Sequence, residues 1–505
     1  MNSNKATTFG YIPPKLLKTN LDICAIPLQK VFNECVSNCQ FPDELKSADV
    51  SSLFKKDVST SKTNYRPISV LPTVSKIYER LMYKQMMEHM TAYLSDLLCG
   101  FRQGYNAQHA LTRFLEKCKI YLDTGGKAGA VFMDLSKAFD CVKHDLLIAK
   151  LHAYGFSHDA LTFLYSYLSD RQQRVKMNGS FSSKQKLNLG VPQGSVLGPL
   201  LFNIYLNDLL ISVDDIEICN YADDTTLYTC DQNLQNVVVR LENVSLKVIK
   251  WFSDNYLKLN EDKCHFLALG ASRDEPVTIK IGNASVQNST QEKLLGITID
   301  NKLTFEHHVA GLCQKASNKL YALSRIAPFM DQGKLRYLMR AFINSQFQYC
   351  PLAWMFHSRQ LHHKIDKIQE RALRVTYQDY ESSFEVLMEK DRSITVHQRN
   401  LQFLMTEMYK TKNGLNPAFM REIFCENESQ YNLRNSNDFS LPRIKTVTYG
   451  SETVRYRGPQ VWATVPQFIK DSTSLTEFKN KIKSWSGESC RCRLCQTFVS
   501  NLGFI

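Results

Sequence analysis

The stretch "NYADDTTLY", Asn220 to Tyr228, sets Asp223 and Asp224 side by side between apolar and aromatic neighbours. Two carboxylates about 4 Å apart repel by roughly 4 kcal/mol at an effective dielectric of about 20, a sizeable fraction of a domain's stability. Something cationic is therefore expected between them. The flanks read as a hairpin, Ile216 to Tyr221 and Thr225 to Cys230, with Ala222, Asp223 and Asp224 at or near its tip. Taken alone, the pair fits a solvated Asp-Asp turn at least as well.

Working outward, "GGKAGAVFMDLSKAFDCVKHDLLIAKL" reads as a turn at Gly125 and Gly126, then an apolar strand from Ala130 to Met133 that ends at Asp134. An acid at the end of a buried strand is out of place for packing. Between the two elements, "LGVPQGSVLGPLLFNIYLNDL" is a Pro/Gly-rich loop opening a helix. Downstream, Leu234, Val237, Leu241, Val244, Val248 and Phe252 recur at three- and four-residue steps, an amphipathic helix expected to pack on a sheet face. Strand-like "HFLALG" and "KLLGITID" follow, and after about residue 300 the pattern turns helical, with Leu361, Ile365, Ile368, Ala372 and Val375 at helical spacing. The fold class is α+β, with a sheet-borne site. Three acids in two strand-end contexts, Asp134 with Asp223 and Asp224, are what a two-metal site needs, because hard oxygen ligands hold Mg²⁺ ions about 3.5 to 4 Å apart.

Composition bounds the rest. The 505 residues, 44% hydrophobic and 22% charged, suffice for two or more domains with real cores. The longest apolar tract, "VLGPLLFNIYLNDLL", is broken by Asn203, Asn207 and Asp208, so neither a membrane span nor a membrane partner is expected. Fifteen cysteines, mostly single, suit a reducing compartment without a disulfide framework. A net charge of +13 suggests a polyanionic partner, and residues 301 to 350 carry Lys302, Lys315, Lys319, Arg325, Lys334, Arg336 and Arg340 against Glu306 and Asp331, a local basic surface.

The motifs "FMDLSKAFD", "GVPQGSVLGPLLFNIYLNDL", "YADDTTLY", "WFSDNYLKLNEDKC" and "KLLGITID" resemble, in order, the palm motifs of reverse transcriptases from non-LTR (LINE-type) retrotransposons of the Jockey-like kind. Ahead of them, "FPDELKSADVSSLFKK" and "NYRPISVLPTVSKIYERLM" resemble the fingers of the same group. The resemblance runs from about Ile12 to Tyr377. It implies a right-hand polymerase: an extension over 1–45 leading into the fingers, fingers over 46–130, a palm with an antiparallel sheet over 131–300 carrying a fingers insertion at about 151–186, a helical thumb over 301–380 and a C-terminal extension over 381–505 with a Cys-rich tail. It also implies RNA-directed DNA polymerase activity, by two-metal nucleotidyl transfer from deoxynucleoside triphosphates to a primer 3′-hydroxyl. The cofactor is two Mg²⁺ ions, with Mn²⁺ able to substitute; the partners are an RNA template and a DNA primer or target.

Residue by residue, the resemblance makes Asp134 and Asp223 the principal metal ligands and Asp224 the second acid of the tip. Phe139 matches the ring beneath the incoming sugar that excludes a ribose 2′-hydroxyl, and Asp140 an anchor of the turn. Gln193 and Gly194 of "GVPQGS" match the loop that approaches nucleotide and template, and Arg66 the arginine that clamps the triphosphate. Lys263 sits where the family has the lysine proposed to protonate leaving pyrophosphate, with a plain surface lysine as its rival. Leu295 and Gly296 fall in the hairpin that grips the primer end. Met133, Leu135, Leu335, Leu338 and Phe342 read as core.

In the tail, Cys490, Cys492 and Cys495 suggest a metal knuckle, but with no fourth ligand evident, reduced cysteines are favoured over zinc. Only some fifty residues precede the fingers, so a fragment or truncated frame without its own endonuclease is expected, and 380–505 show no strand-borne acids of an RNase H domain. Cytoplasmic assembly followed by nuclear action is what the family implies. From a different class, an inactive relic that only binds nucleic acid is the alternative.

Overall fold

The protein is described here by a computed structural model covering residues 6–8, 10–55, 58–213, 216–270, 277–356, 358–427 and 438–487. Lys56 and the cysteines at 490, 492 and 495 lie outside the described residues. The strands in chain order are β1 (Ser47–Phe54), β2 (Tyr65–Val70), β3 (Lys127–Met133), β4 (Arg171–Met177), β5 (Ser180–Phe181), β6 (Gln185–Leu187), β7 (Glu217–Tyr221), β8 (Asp224–Asp231), β9 (His265–Leu269), β10 (Thr278–Ile281), β11 (Ala284–Gln287), β12 (Gln291–Leu294) and β13 (Ile297–Asp300). They form a four-stranded antiparallel sheet in the order β7-β8-β3-β9, a five-stranded sheet β2-β1-β4-β5 with β6 also on β4, and two hairpins, β10-β11 and β12-β13.

Strand β3, "KAGAVFM", is an uninterrupted apolar run because both faces of its sheet are covered. Ala128, Ala130 and Phe132 share a core with Phe114, Leu115 and Cys118 of the helix Ala107–Asp123. Val131 and Met133 face the opposite core, with Leu241, Val244 and Val248 of the helix Leu234–Asp254. That second helix begins where the side chain of Asn233 accepts from the Gln235 amide, and the expected apolar positions Val237 to Phe252 are buried.

After Asp300 the described residues hold no further strand longer than an isolated bridge. Asp300 starts the helical part by accepting from the amides of Lys302, Thr304 and Phe305, ahead of the helix Glu306–Ile326. Two expectations about this region fail. Phe342, read as core, is 52% exposed, because a π-turn at Met339–Ile343 shifts the buried face to Met339 and Ile343. The basic surface is also smaller than its seven cations suggested. Arg336 and Arg340 both pair with the buried Asp391, at 2.6 and 3.3 Å, and Lys334 pairs with Asp331.

The segment beyond residue 380 packs into the same core as the helix Ala107–Asp123. Leu404, Met405, Met408 and Trp462 join Phe114 and Leu115 in one cluster. The polar contacts at this seam are buried and specific. Glu116 accepts from the amides of Val454 and Arg455 at the start of the helix Val454–Ala463, and His109 Nε2 meets Glu407 Oε2 at 3.0 Å. Asp123 accepts from the Lys445 amide and from the amide and hydroxyl of Thr446, at 2.9, 2.7 and 2.7 Å. Burial alone would push its carboxyl up, but these hydrogen bonds hold it below the ordinary carboxylate value. Asp123→Ala is expected to cost about 2–4 kcal/mol in urea unfolding and to open residues 444–451 to limited proteolysis. The Asp123 contribution is complete above the unfolded carboxylate pKa and is lost as pH falls through the depressed folded value, so the difference between wild type and variant should shrink in acid.

Candidate active site

The register of the central sheet brings the acids together. Strand β3 pairs with β8 from Lys127–Asp231 to Met133–Thr225, so Asp134, one residue on, reaches the level of Asp224. Asp224 is the first residue of β8 and pairs with Tyr221, leaving Ala222 and Asp223 as a two-residue turn. The hairpin is therefore tighter than the sequence reading had it, with Asp224 in the strand. Ala222 adopts φ +59°, a left-handed value at a non-glycine residue.

Two neighbours hold this unfavourable turn. The buried Asn220 directs its Nδ2 at the carbonyls of Ala222 and Asp224 and at Thr225 Oγ1, at 3.2, 3.4 and 3.2 Å. Gly100 lies so close that a Cβ there would meet the Ala222 nitrogen at 2.5 Å, so only glycine fits. The carboxyl of Asp224 is pushed up to about 6 by burial, then by the charges of Asp223 and Asp134, while Lys55 and Arg66 pull it down. Arg66 lies on β2, exposed, opposite Leu53 of β1. Two acids and two cations thus act on Asp224.

Lys263 belongs to the same site. Its Nζ is 3.3 Å from Asp134 Oδ2, an ion pair open to solvent. The loop that carries it is fastened to the end of β3, since the Ser136 amide donates to the Lys258 carbonyl and the Asn260 amide to the Asp134 carbonyl, at 2.8 and 2.9 Å. Among the described residues no three His, Cys, Asp or Glu side chains already stand as a metal-ligand set. With Lys263 on Asp134, an amine supplies part of the positive charge the carboxylates demand.

The other expected site residues each have defined local contacts. Phe139 is half-buried, stacked on Phe202 at 4.4 Å between centroids and edge-on to Phe101 at 6.1 Å. Asp140 is an anchor rather than a free acid, as its Oδ1 accepts from Gln193 Nε2 at 2.9 Å. The loop of Gln193 is pinned to β2 by the Ser69 amide, which donates to the Gln193 carbonyl at 2.7 Å. Gly194, at φ +122°, lets the chains approach to where a Cβ would meet the Ser69 carbonyl at 2.5 Å. Leu295 and Gly296 form the turn of β12-β13, and Tyr349 Oη donates to the Leu295 carbonyl at 2.8 Å. Met133 and Leu135 are buried.

Several supporting residues escaped the sequence reading. Glu79, fully buried, accepts from the amides of Val196 and Leu197 at 2.6 and 3.3 Å, just ahead of the helix Gly198–Ser212, and so holds the loop that carries Gln193. Burial pushes its carboxyl up, and Arg171 and the two amides pull against that. Nothing local marks this role in "KIYERLM", because the two amides that Glu79 holds are more than a hundred residues away. Asn220 did stand in the quoted motif, where a short amide two residues before a tight turn is a readable signal. Since Asp224 is charged at neutral pH against its surroundings, Asp224→Asn is expected to raise the melting temperature in metal-free buffer at pH 7–8 by about 1–3 °C. The gain should fade toward pH 5, where Asp224 itself takes up a proton; calorimetry across that range checks both signs.

Residues 54–299 match the family described as reverse transcriptase (RNA-dependent DNA polymerase). Over 362 residues the chain is 28% identical to a probable RNA-directed DNA polymerase from transposon BS of Drosophila melanogaster, covering 69% of this chain and 40% of that protein. Over 312 residues it is 28% identical to the RNA-directed DNA polymerase from mobile element jockey of the same fly, covering 60% and 34%. The chain thus spans two fifths or less of the length of these relatives. Among solved structures, apo telomerase from Candida tropicalis is similar over 77% of this chain and 68% of that one, at 12% identity and a TM-score of 0.42, too slight to carry an inference. On the sequence matches, residues 54–299 resemble the reverse transcriptase family, and the chain is similar to the RNA-directed DNA polymerases of Drosophila mobile elements that include jockey.

Proposed function

We propose that the chain is an RNA-directed DNA polymerase that extends a primer 3′-hydroxyl with deoxynucleotides on an RNA template and releases pyrophosphate. The observation that carries this reading is the meeting of Asp134, Asp223 and Asp224 at one sheet end within the field of Arg66 and Lys55. In this reading the sheet β7-β8-β3-β9 with its two covering helices is the palm, the five-stranded sheet belongs to the fingers, and the helices after Asp300 are the thumb.

The donor chemistry fits divalent cations: three carboxylates without soft ligands, two of whose charges add to burial in raising Asp224. Asp134 and Asp223 would hold the ions, Mg²⁺ by preference for an all-oxygen set, with Asp224 beside them. Such ions, when bound, supply activation of the attacking hydroxyl and neutralisation of charge on the transferred phosphoryl group. Arg66, a fixed fork of donors on an exposed strand, would grip the triphosphate, and Lys55 adds charge from the adjoining strand end. The Phe139 ring, backed by Phe202, would close the space where a ribose 2′-hydroxyl lies. Gln193, oriented by Asp140, would meet the nucleotide and template, and the Leu295–Gly296 turn, fastened by Tyr349, the primer end. Lys263 would leave Asp134 and give its Nζ proton to the departing pyrophosphate.

The test is extension of a DNA primer on an RNA template with Mg²⁺. Wild type should add deoxynucleotides and a folded Asp223→Asn should lose at least about 10³-fold of the rate; no extension by wild type in Mg²⁺ or Mn²⁺ would overturn the reading. In the same assay Phe139→Ala should keep extension but lose roughly 10²-fold of its discrimination against ribonucleotides.

A further inference from the structure

A cavity of about 520 Å³ lies between residues 348–351, the helix Val396–Lys412 and the helix Leu475–Lys481 with its continuation Ile482–Ser484. Its charged lining is all of one sign. Arg399, Lys479 and Lys483 face it with the amides of Gln348, Asn400 and Asn480, and no carboxylate lines it. Arg399 is the telling member. It is half-buried, and burial first, then the like charge of Arg340, hold its guanidinium below the ordinary value, offset only in part by Asp391. Asp391 is itself occupied by Arg336, Arg340 and the Tyr377 hydroxyl. Beyond a 3.5 Å hydrogen bond to the Ile394 carbonyl, Arg399 shares the field of an acid already paired twice, and a desolvated cation of this kind favours an added anion. The planar fork of arginine beside two flexible ammonium groups suits phosphate oxygens.

The cavity's position adds a second argument. Gln348 lines it, and the next residue, Tyr349, donates to the Leu295 carbonyl at the tip of the β12-β13 hairpin. The segment that lines the cavity is thus the one fastened to that hairpin.

We propose that this cavity binds the phosphodiester backbone of a single-stranded nucleic acid as it passes the β12-β13 hairpin. The inference rests on the polymerase reading only in expecting a nucleic acid at that hairpin. The experiment titrates fluorescein-labelled single-stranded RNA, and DNA of the same sequence, into the full chain by anisotropy across a salt series, in EDTA and without nucleotides. The variant is Lys479→Gln with Lys483→Gln, both exposed and without an acid partner among the described residues; the control of equal charge is Lys15→Gln with Lys18→Gln, on the exposed side of a distant helix. The cavity variant should bind about 5- to 20-fold more weakly near 0.1 M salt, with a log–log salt slope shallower by about 1.4, two contacts at about 0.7 each. A loss confined to RNA assigns the site to the template, and one confined to DNA to the primer or target; either upholds it. Affinity and slope equal to wild type for both strands, or a loss no greater than the control's, would overturn it. Because no extension is measured, an inactive chain that shows the loss still upholds the cavity, and an active chain without the loss overturns the cavity alone.

Discussion

Repulsion among three carboxylates at one sheet end is the constraint on which the rest of the molecule is arranged. Asp224, raised to about 6 by burial first and then by the charges of Asp223 and Asp134, is held by a frame that does not yield. Asn220 ties the turn from inside, Gly100 presses on it from outside, and β3 is locked between two helices by apolar packing on both faces. Asp223 and Asp224 are exposed at this end and Asp134 is half-buried. Here the register of β3 on β8 holds them at one level.

The same constraint explains the surroundings. Lys263 answers Asp134 with an ammonium group, and Arg66 and Lys55 extend positive charge from the neighbouring sheet. The loop of Gln193 and Gly194 is fixed on three sides, by Ser69, by Asp140 and by the buried Glu79 behind it. Such rigidity would suit the proposed phosphoryl transfer, which asks for positioning and charge neutralisation rather than covalent participation. The segment beyond residue 380 contributes at a distance, by buttressing through Glu116 and Asp123 the helix on which β3 rests.

How much of this was legible in the sequence depended on range. The strand ending at Asp134, the hairpin around Asp223 and the amphipathic helix after it follow from period and turn chemistry within a dozen residues, and the structure has all three. The exact turn was misread by one residue, because Asp224 enters the strand once Asn220 satisfies the turn's carbonyls, a contact that periodicity does not show. Phe342 was read as core because a 3.6-residue period assumes an unbroken α-helix, and the π-turn changes the phase. The basic stretch lost Arg336 and Arg340 to Asp391, some fifty residues away. The role of Glu79 was invisible for the same reason, since the Val196 and Leu197 amides lie more than a hundred residues on.

The account turns on whether the acids of β3 and of the β7-β8 turn hold metal ions together. The direct measurement is anomalous diffraction from Mn²⁺ in crystals of the chain with an RNA–DNA primer–template and a non-hydrolysable deoxynucleoside triphosphate. The account predicts manganese against Asp134 and Asp223, with Lys263 moved off Asp134. Manganese elsewhere, or an intact Lys263–Asp134 pair beside a bound nucleotide with no metal at the turn, would contradict it.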